Sequence, residues 1–311
     1  MADKPVVVVF TANSNTGTAV VRELAANYAD DVRIRCVVRK KANAKHLQGL
    51  PIEVINADIT QPALLKAVFA DDVNVCFWST PTTQDRADLT KRFVDACIEY
   101  GVDFPVIVSM LDADKRGTLH QQHFAEIEAY CEKMRGTPVK RQLLDTGKQT
   151  LAPIILRCAP FYQNMLASLA GIAEGQLYYP LGKNEGYLPH VDLKDVGKIG
   201  AKILVDPTPH GNKTYNLIGE YQQGNQLASS ITRSTGHPCT YEEVDDPTAA
   251  MAFAALGLPE WLADANTELI AYFREDNGQD IKSDVEEVLG TPPTKFAAFC
   301  KREMKPFLDE L

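Results

Sequence analysis

The sequence predicts an α/β protein with a doubly wound parallel sheet and a smaller lobe toward its C-terminus. Two observations support this fold class. Short runs of valine and isoleucine alternate with amphipathic segments from residue 6 to residue 109, the pattern of a parallel sheet covered by helices on both faces. The runs are almost continuously apolar, as expected for strands whose two faces are both buried.

Six strands are predicted in the first half of the chain, and amphipathic helices separate them. The strands are expected at Val6–Phe10, Arg33–Val38, Ile52–Asn56, Val73–Trp78, Val106–Ser109 and Pro153–Arg157. Val21, Leu24 and Tyr28 recur at helical spacing after the first strand, and Leu89 and Phe93 do so before the fifth. Two more helices, over residues 119–134 and 139–149, are predicted before the sixth strand.

The alternation of strands and helices ends near residue 158, and two domains are predicted from this change. Residues 1–158 form the sheet domain, and residues 159–311 form a smaller α/β lobe that covers its cleft and is interleaved with it. Helices are expected in the lobe at about 193–204, 224–235 and 247–272. The apolar run TAAMAFAALGLPEWLA in the last of these is expected to pack as core or lid.

Composition and charge exclude several classes of function. The chain has 41 acidic and 32 basic side chains, and its net charge of -9 repels a phosphate backbone, so no nucleic-acid partner is expected. Its seven cysteines include no CxxC pair, which argues against a disulfide framework or a zinc site. No stretch approaches the roughly 18 apolar residues of a membrane span. We expect a soluble cytoplasmic protein that contacts no membrane.

The turn after the first strand has the arrangement of a phosphate-binding loop. A buried strand, the polar turn TANSNTG and an amphipathic helix follow one another, as in a dinucleotide-binding Rossmann domain. The GxxGxxG spacing falls on Thr11, Ser14 and Gly17, so only the third glycine is present. A strand-to-helix turn with an N-cap is the alternative. The predicted contacts with a cofactor are Thr11, Asn13, Ser14, Asn15, Thr16 and Gly17.

The end of the second strand favours NADP over NAD. An acidic residue at this position would accept hydrogen bonds from the ribose of NAD, but Arg39 and Lys40 stand there. A guanidinium forks onto a phosphate and an ammonium adds a point charge, so this pair suits a 2′-phosphate. The alternative is that Arg39 and Lys40 are simply solvated at the end of the strand.

Two further strand ends carry candidate cofactor contacts. Asp58 follows the third strand, where its carboxylate either reaches the adenine amino group or caps Thr60. Ser79, Thr80 and Pro81 follow the fourth strand, at the carboxyl edge where ligands of doubly wound sheets lie. We expect a nicotinamide ribose to rest there.

The order and spacing of several segments resemble the NmrA-like family, an atypical branch of the short-chain dehydrogenases and reductases. They include RADLTKRFVDACIEYGVDFPVIVS, RCAPFYQNM and YLPHVDLKDVGKIG. The resemblance implies a Rossmann domain with a smaller lobe, NADP(H) binding, and either reductase activity or redox-sensing regulation. The family loop reads GATGxxG, and many catalytic relatives carry a lysine where this chain has Phe124.

Candidate catalytic residues are few. The Tyr-x-x-x-Lys pair of short-chain enzymes has one formal match, Tyr179 to Lys183, but Pro180 and Gly182 between them break a helix, so we reject the pair. Ser109 and His123 are the predicted proton donors, and the nearby His120 is a further candidate.

Other candidates concern the substrate side and metals. Phe124, Tyr162 and Asn164 are predicted to line the substrate side, with core packing or joining of the lobes as the alternative. His190 and Asp192 have a spacing compatible with metal ligation, but the sequence offers no third ligand, so no metal is expected.

Three functional hypotheses follow. The first is an NADP(H)-binding redox sensor with little or no dehydrogenase activity that signals to a regulatory protein partner. The second is an NADPH-dependent reductase whose substrate is a small carbonyl, enone or quinone. The third is a degenerate Rossmann scaffold that binds no cofactor.

Overall fold

A seven-stranded sheet organises the chain in a computed structural model that describes residues 4–140, 149–182, 186–276 and 280–310. Its strands are β1 (Val6–Phe10), β2 (Arg33–Val38), β3 (Ile52–Asn56), β4 (Val75–Trp78), β5 (Phe104–Met110), β6 (Ile154–Cys158) and β9 (Thr214–Leu217). They lie in the order β3-β2-β1-β4-β5-β6-β9. The pairs from β3 to β5 are parallel. The order 3-2-1-4-5-6 is that of a doubly wound Rossmann sheet, which confirms the predicted fold class.

Four short strands form two small sheets outside the main one. They are β7 (Gln176–Tyr179), β8 (Leu188–His190), β10 (Glu220–Gln222) and β11 (Thr240–Glu243). Strand β8 pairs antiparallel with β10, and β7 pairs parallel with β11. All four belong to the C-terminal half, where the predicted alternation of strands and helices stops.

Helices account for most of the remaining structure. The longer ones are α1 (Asn15–Asn27), α3 (Arg86–Tyr100), α4 (Leu119–Met134), α6 (Leu193–Val205), α7 (Gly224–Thr235), α8 (Asp246–Ala255) and α9 (Glu260–Asp276). The shorter ones are α2 (Pro62–Val68), α5 (Leu169–Ala173), α10 (Val285–Leu289), α11 (Phe296–Phe299) and α12 (Lys305–Asp309). No helix of the described part of the chain is both long and apolar enough to cross a membrane.

Two predicted helices differ from the structure. The range 247–272 is split into α8 and α9, because Gly257 takes a left-handed φ of 88° and Pro259 follows it. The range 139–149 is not helical at its ends, since the N–H of Val139 donates to the carbonyl of Gln149 at 3.1 Å across an antiparallel bridge. Residues 141–148 lie outside the described residues.

The chain divides into two compact units. The first comprises Met1–Ser109, His123–Arg157 and Val196–Tyr215, and the second comprises Met110–Gln122, Cys158–Asp195 and Asn216–Leu311. In the first unit, Phe10, Trp78 and Phe93 pack their rings 4.8 to 5.8 Å apart between sheet and helix. In the second, Tyr162 packs against Phe296 and Phe299 with centroids 5.1 and 5.6 Å away.

Helix α1 is fixed closely against α6 within the first unit. A Cβ on Gly197 would lie 2.9 Å from the carbonyl oxygen of Ala19, and a Cβ on Gly200 would lie 2.7 Å from Val20. Neither position leaves room for a side chain without movement of α1. The start of α1, and with it the loop that precedes it, is therefore held in place by this packing.

Candidate functional site

The turn between β1 and α1 is closed by its own backbone. The N–H of Ser14 donates to the carbonyl of Thr11 at 2.9 Å, and the Ser14 hydroxyl caps the helix by accepting from the N–H of Gly17 at 3.0 Å. A Cβ on Gly17 would lie 2.5 Å from the Thr11 carbonyl oxygen. This position therefore requires glycine for close strand-to-helix packing, as the third glycine of a Rossmann loop does.

Four hydroxyl-bearing residues join this loop to the end of β4, and we call them the Ser79 hydroxyl cluster: Thr11, Ser14, Thr16 and Ser79. The Ser14 hydroxyl donates to the Ser79 hydroxyl at 2.7 Å, and Thr16 bonds the same oxygen. The Thr11 hydroxyl lies 2.6 Å from the Ser79 carbonyl oxygen. The hydroxyls of Ser14, Thr16 and Ser79 thus bind one another, and that of Thr11 binds the Ser79 carbonyl; their contact with a cofactor stays a prediction.

The sequence carries a signal for this cluster. Strands β1 and β4 are neighbours in a doubly wound sheet, so hydroxyls after both strands meet at its carboxyl edge. With the hydroxyls engaged, the donors left at the helix tip are the backbone N–H groups of Asn15 and Thr16. Neither makes a hydrogen bond to another described residue. The side chains of Asn13 and Asn15 are exposed beside them.

A pocket of about 490 Å³ lies at the ends of β2 and β3. It is lined by Arg39, Lys40, Asn43, Asn56, Ala57, Asp58, Gln61 and Leu64. Three of these, Arg39, Lys40 and Asp58, are predicted contacts that the structure brings together. Sequence reasoning missed the two asparagines, the glutamine and Leu64, whose side chain is 39% exposed. Asn43 lies on the connection after β2, Asn56 ends β3, and Gln61 and Leu64 lie at the start of α2.

Asp58 caps Thr60, which is one of the two roles predicted for it, and its second carboxylate oxygen remains available to another partner. Its Oδ1 accepts from both the N–H and the hydroxyl of Thr60 at 2.8 Å. Because one oxygen takes both bonds, Oδ2 remains as an acceptor at the pocket wall.

The remaining residues at the sheet edge are tied to their neighbours. Ser79 is buried, and Thr80 donates its hydroxyl hydrogen to the carbonyl of Val108 at 2.6 Å, which fixes the β4 end to β5. Pro81 is half-buried next to them. Ser109, at the end of β5, is buried and donates to Glu128 of α4 at 2.6 Å. The predicted donor is thus hydrogen-bonded to a carboxylate.

His123 and Phe124 lie together on α4, beside Arg86 at the start of α3. The Arg86 guanidinium carbon is 5.4 Å from the centroid of the Phe124 ring. Burial, and then the charge of Arg86, lower the pKa of His123, while Glu126 opposes them. His123 is therefore predominantly neutral at pH 7. Phe124 is half-buried and carries no polar group in place of the lysine of catalytic relatives.

The predicted site residues of the second unit differ in how deeply they are buried. Tyr162 is fully buried, and its hydroxyl donates to the carbonyl of Thr294 at 3.4 Å, whereas Asn164 is exposed. His120 is buried, with Nε2 3.0 Å from Asn266 Oδ1. Lys183, the second member of the rejected Tyr-x-x-x-Lys pair, lies outside the described residues.

His190 and Asp192 do not form a shared site. Asp192 binds Arg302 at 2.8 Å and Gln163 at 2.9 Å, and neither ring nitrogen of His190 has a hydrogen-bond partner among the described residues. Within the same residues there is no group of three or more metal-ligating side chains.

Comparison with known proteins decides the family. The profile of the NmrA-like family matches residues 3–301. The chain belongs to the NmrA-like family.

Two reductases resemble the chain along most of its length. The NAD(P)H azoreductase of Xenophilus azovorans is 26% identical over 275 residues, which is 88% of this chain and 90% of the azoreductase. Quinone oxidoreductase 2 of Escherichia coli is 25% identical over 267 residues, 85% of this chain and 87% of the relative.

Several solved structures share the fold. The structure of the Escherichia coli NADPH-dependent quinone oxidoreductase with NADPH has a TM-score of 0.78 at 22% identity and covers 95% of this chain and 99% of its own. NmrA, a negative transcriptional regulator solved with NADP, has a TM-score of 0.72 at 16% identity, with 99% and 97% covered. At these identities the likeness shows the fold alone.

The NmrA-like loop pattern GATGxxG explains how this chain replaces two glycines. Thr11 stands at the first and adopts a φ of 49°, the left-handed conformation that glycine reaches without steric cost. Ser14 stands at the second with φ −75° and ψ 167°, which any residue adopts. The backbone at Thr11 is therefore strained, and the backbone at Ser14 is not.

Proposed function

We propose that this chain is an NADPH-dependent reductase of a small quinone or azo compound. The observation that carries the proposal is the pocket in which Arg39 and Lys40 meet Asp58 at the carboxyl edge of the sheet. Similarity to an azoreductase and a quinone oxidoreductase over more than four-fifths of each chain supports the reaction class.

The cationic end of the pocket suits the 2′-phosphate that distinguishes NADPH from NADH. Arg39 offers a planar fork of N–H donors and Lys40 a point charge, and both side chains are exposed. Leu64 gives an apolar wall for the adenine, and Asp58 Oδ2 is an acceptor for its amino group.

The pyrophosphate suits the first turn of α1. The N–H groups of Asn15 and Thr16 are the unbonded donors of this helix end, where the helix dipole is positive. The Ser79 hydroxyl cluster holds the turn in place without using these N–H groups. When bound, NADPH supplies a hydride to the substrate.

Reduction of a quinone explains why a catalytic Tyr-x-x-x-Lys pair is not required. Reduction of a simple ketone produces an alkoxide, which needs a strong proton donor in the transition state. A quinone instead becomes an aromatic phenolate, whose charge is delocalised and stable in water. Solvent is then sufficient to supply the proton that completes the reaction.

The redox-sensor hypothesis has less support. The regulator that supports it is NmrA, which shares the fold of this chain but only 16% of its sequence. The two relatives that match by sequence are an azoreductase and a quinone oxidoreductase. We therefore favour the reductase, and keep the sensor and the cofactor-free scaffold as outcomes of the test.

The test follows NADPH absorbance with the purified full-length chain and a panel of quinones and azo dyes, alongside direct binding of NADPH and NADH. We expect quinone-dependent oxidation of NADPH. Arg39→Ala should weaken NADPH binding about ten- to a hundredfold, the value of a hydrogen bond between charged groups, and leave NADH binding unchanged.

Lys41→Ala is the matched control, because Lys41 is exposed next to Lys40 but does not line the pocket. It should bind NADPH within about twofold of the wild type, since an exposed charge that does not line the pocket contributes little in water. NADPH binding without turnover on any acceptor would favour the sensor. Absence of binding would favour the scaffold.

A further inference from the structure

Most of helix α8 is exposed although its sequence is apolar. Residues 249–258 carry no polar side chain, yet Ala249 is the one residue of α8 that is buried. Met251 and Leu256 are 68% and 55% exposed, more than any other large apolar side chain that the structure describes. A helix that is apolar all round is normally buried, and an exposed apolar surface of this kind marks an interaction site.

The exposed apolar side chains form one continuous surface, which we call the α8 patch: Met251, Ala252, Ala255 and Leu256. Met251 and Ala255 are one helical turn apart, as are Ala252 and Leu256, so the four positions are neighbours on the helix surface. All four residues are exposed. Because alanine is small, the two alanines form a groove between the larger side chains into which a side chain of a partner can pack.

Helix α8 is anchored at its N-terminal end, so the α8 patch is already formed before a partner binds. The helix packs against α9, where the guanidinium of Arg274 donates to both carboxylate oxygens of Asp246 at 2.8 and 3.0 Å. Asp245 caps α8 by accepting from the N–H of Thr248 at 2.9 Å. A surface that is held in place in this way loses little conformational entropy on binding.

The segment that contains the α8 patch is strongly acidic. Residues 240–275 include eight acidic side chains and one basic side chain, so most of the net charge of -9 lies here. The basic residue, Arg274, is already paired with a carboxylate. Four acidic residues before and after α8 are exposed and form no ion pair with another described residue: Glu242, Asp245, Glu260 and Asp264.

We propose that the α8 patch is a docking surface for a basic amphipathic helix of a partner protein. The apolar face of such a helix covers Met251 and Leu256, and its lysine or arginine side chains meet the acidic residues on both sides of α8. Methionine suits this role because its flexible side chain adapts to the shape of a partner. This docking goes beyond the proposed reduction, and it requires neither NADPH nor an acceptor.

Charge argues against two other occupants of the α8 patch. In a symmetric dimer through α8, the same acidic side chains of two copies would face each other, and like charges at an interface are unfavourable. An anionic lipid surface would repel these carboxylates for the same reason. A cationic helix instead covers the apolar patch and neutralises the charges around it.

The experiment measures binding of a fluorescein-labelled peptide to the full-length chain by fluorescence anisotropy. The peptide has about 14 leucine and lysine residues, with leucine on one helical face. A second peptide, in which glutamate replaces lysine, keeps the same apolar face and should bind at least about tenfold more weakly. Added salt should weaken binding of the lysine peptide, because exposed charges are screened.

A double variant tests the apolar contribution without changing the charge. Met251→Gln combined with Leu256→Gln should weaken binding of the lysine peptide at least about tenfold, since both apolar contacts are lost. Phe307→Gln is the matched control, because Phe307 is an apolar residue of α12 that is 43% exposed and lies outside the α8 patch. It should bind the peptide as the wild type does.

A second double variant tests the charges. Glu260→Gln combined with Asp264→Asn should weaken binding about two- to tenfold and reduce its dependence on salt, as expected when two exposed ion pairs are lost. Glu286→Gln combined with Glu287→Gln removes two exposed carboxylates of α10, which lie outside the acidic segment, and should change neither quantity.

Several results would overturn the proposal. They are no binding of the lysine peptide at submillimolar concentration, equal binding of the glutamate peptide, or equal binding by the Met251→Gln, Leu256→Gln variant. A wild-type dimer that this variant converts to a monomer in gel filtration would show that a second copy covers the patch. Binding to phosphatidylserine vesicles that the variant loses would show a lipid surface. Because no NADPH is present, none of these results depends on the reductase proposal.

Discussion

The hydroxyl of Ser109 donates its hydrogen to the carboxylate of Glu128 at 2.6 Å, and Arg157 holds the same carboxylate at 2.6 and 3.0 Å. The three residues link β5, α4 and β6 through one carboxylate. A serine has a single hydroxyl hydrogen, so the bond to Glu128 competes with donation to a substrate.

Ser109→Ala is therefore expected to affect stability more than catalysis. Loss of a buried hydrogen bond to a charged group should lower the free energy of unfolding by about 2 kcal/mol. Urea denaturation measures this change, and quinone-dependent NADPH oxidation should fall by less than about tenfold, or 1.4 kcal/mol. Ser229→Ala, at an exposed position, should change neither quantity. A hundredfold loss of kcat at unchanged stability would instead make Ser109 the proton donor.

Thr11 gives a second prediction, because its φ of 49° is left-handed. Thr11→Gly and Thr11→Ala both remove the hydroxyl that contacts the Ser79 carbonyl, but only glycine relieves the backbone strain. The glycine variant should be more stable than the alanine variant by about 1–2 kcal/mol in thermal or urea denaturation. At Asn13, whose φ is not positive, the glycine variant should instead be less stable than the alanine variant. Equal stabilities of the two Thr11 variants would contradict the assigned backbone conformation.

Gly17→Ala tests the close packing of α1 on the loop. The new methyl would lie 2.5 Å from the Thr11 carbonyl oxygen, so the turn must move. We expect a loss of about 1–3 kcal/mol in stability and weaker NADPH binding through displacement of the helix tip. Gly49→Ala is the control, since Gly49 has φ 84° and open space around it. It should lose some stability through strain while binding NADPH like the wild type.

His190 predicts how stability depends on pH. Burial lowers the pKa of His190 to about 3, whereas in the unfolded chain the imidazole titrates near 6.5. Below about pH 6.5 the unfolded state binds a proton that the folded state does not, so stability falls as pH decreases toward 3. The slope contributed by this residue should approach 1.4 kcal/mol per pH unit.

Urea denaturation between pH 4 and 8 measures this slope. His190→Leu should remove much of the acid destabilisation, whereas His46→Leu, which alters an exposed histidine, should leave the slope unchanged. If the wild type and His190→Leu lose stability in parallel below pH 6, the histidine is protonated in the folded protein and the prediction is wrong.

The strands could be predicted because their signal is local. Val6–Phe10, Arg33–Val38 and Ile52–Asn56 have the predicted bounds. Val6–Phe10 is continuously apolar because both of its faces are buried. The meeting of Arg39, Lys40 and Asp58 in one pocket was also predictable, because carboxyl ends of parallel strands share one edge. The sequence does not predict the split between α8 and α9, because the apolar run continues past Gly257 and Pro259.

The sequence by itself determined the order of secondary structure, the position of the phosphate-type loop and the cationic end of β2, since each depends on residue type at fixed spacing. The tertiary structure alone decided which polar groups are already satisfied. It joined Ser79 to three hydroxyls of the loop, Ser109 to Glu128 and Arg157, and Arg86 to Phe124 across long stretches of chain. Hydrogen-bond partners distant in sequence are set by the packing of strands and helices, and no local pattern encodes them.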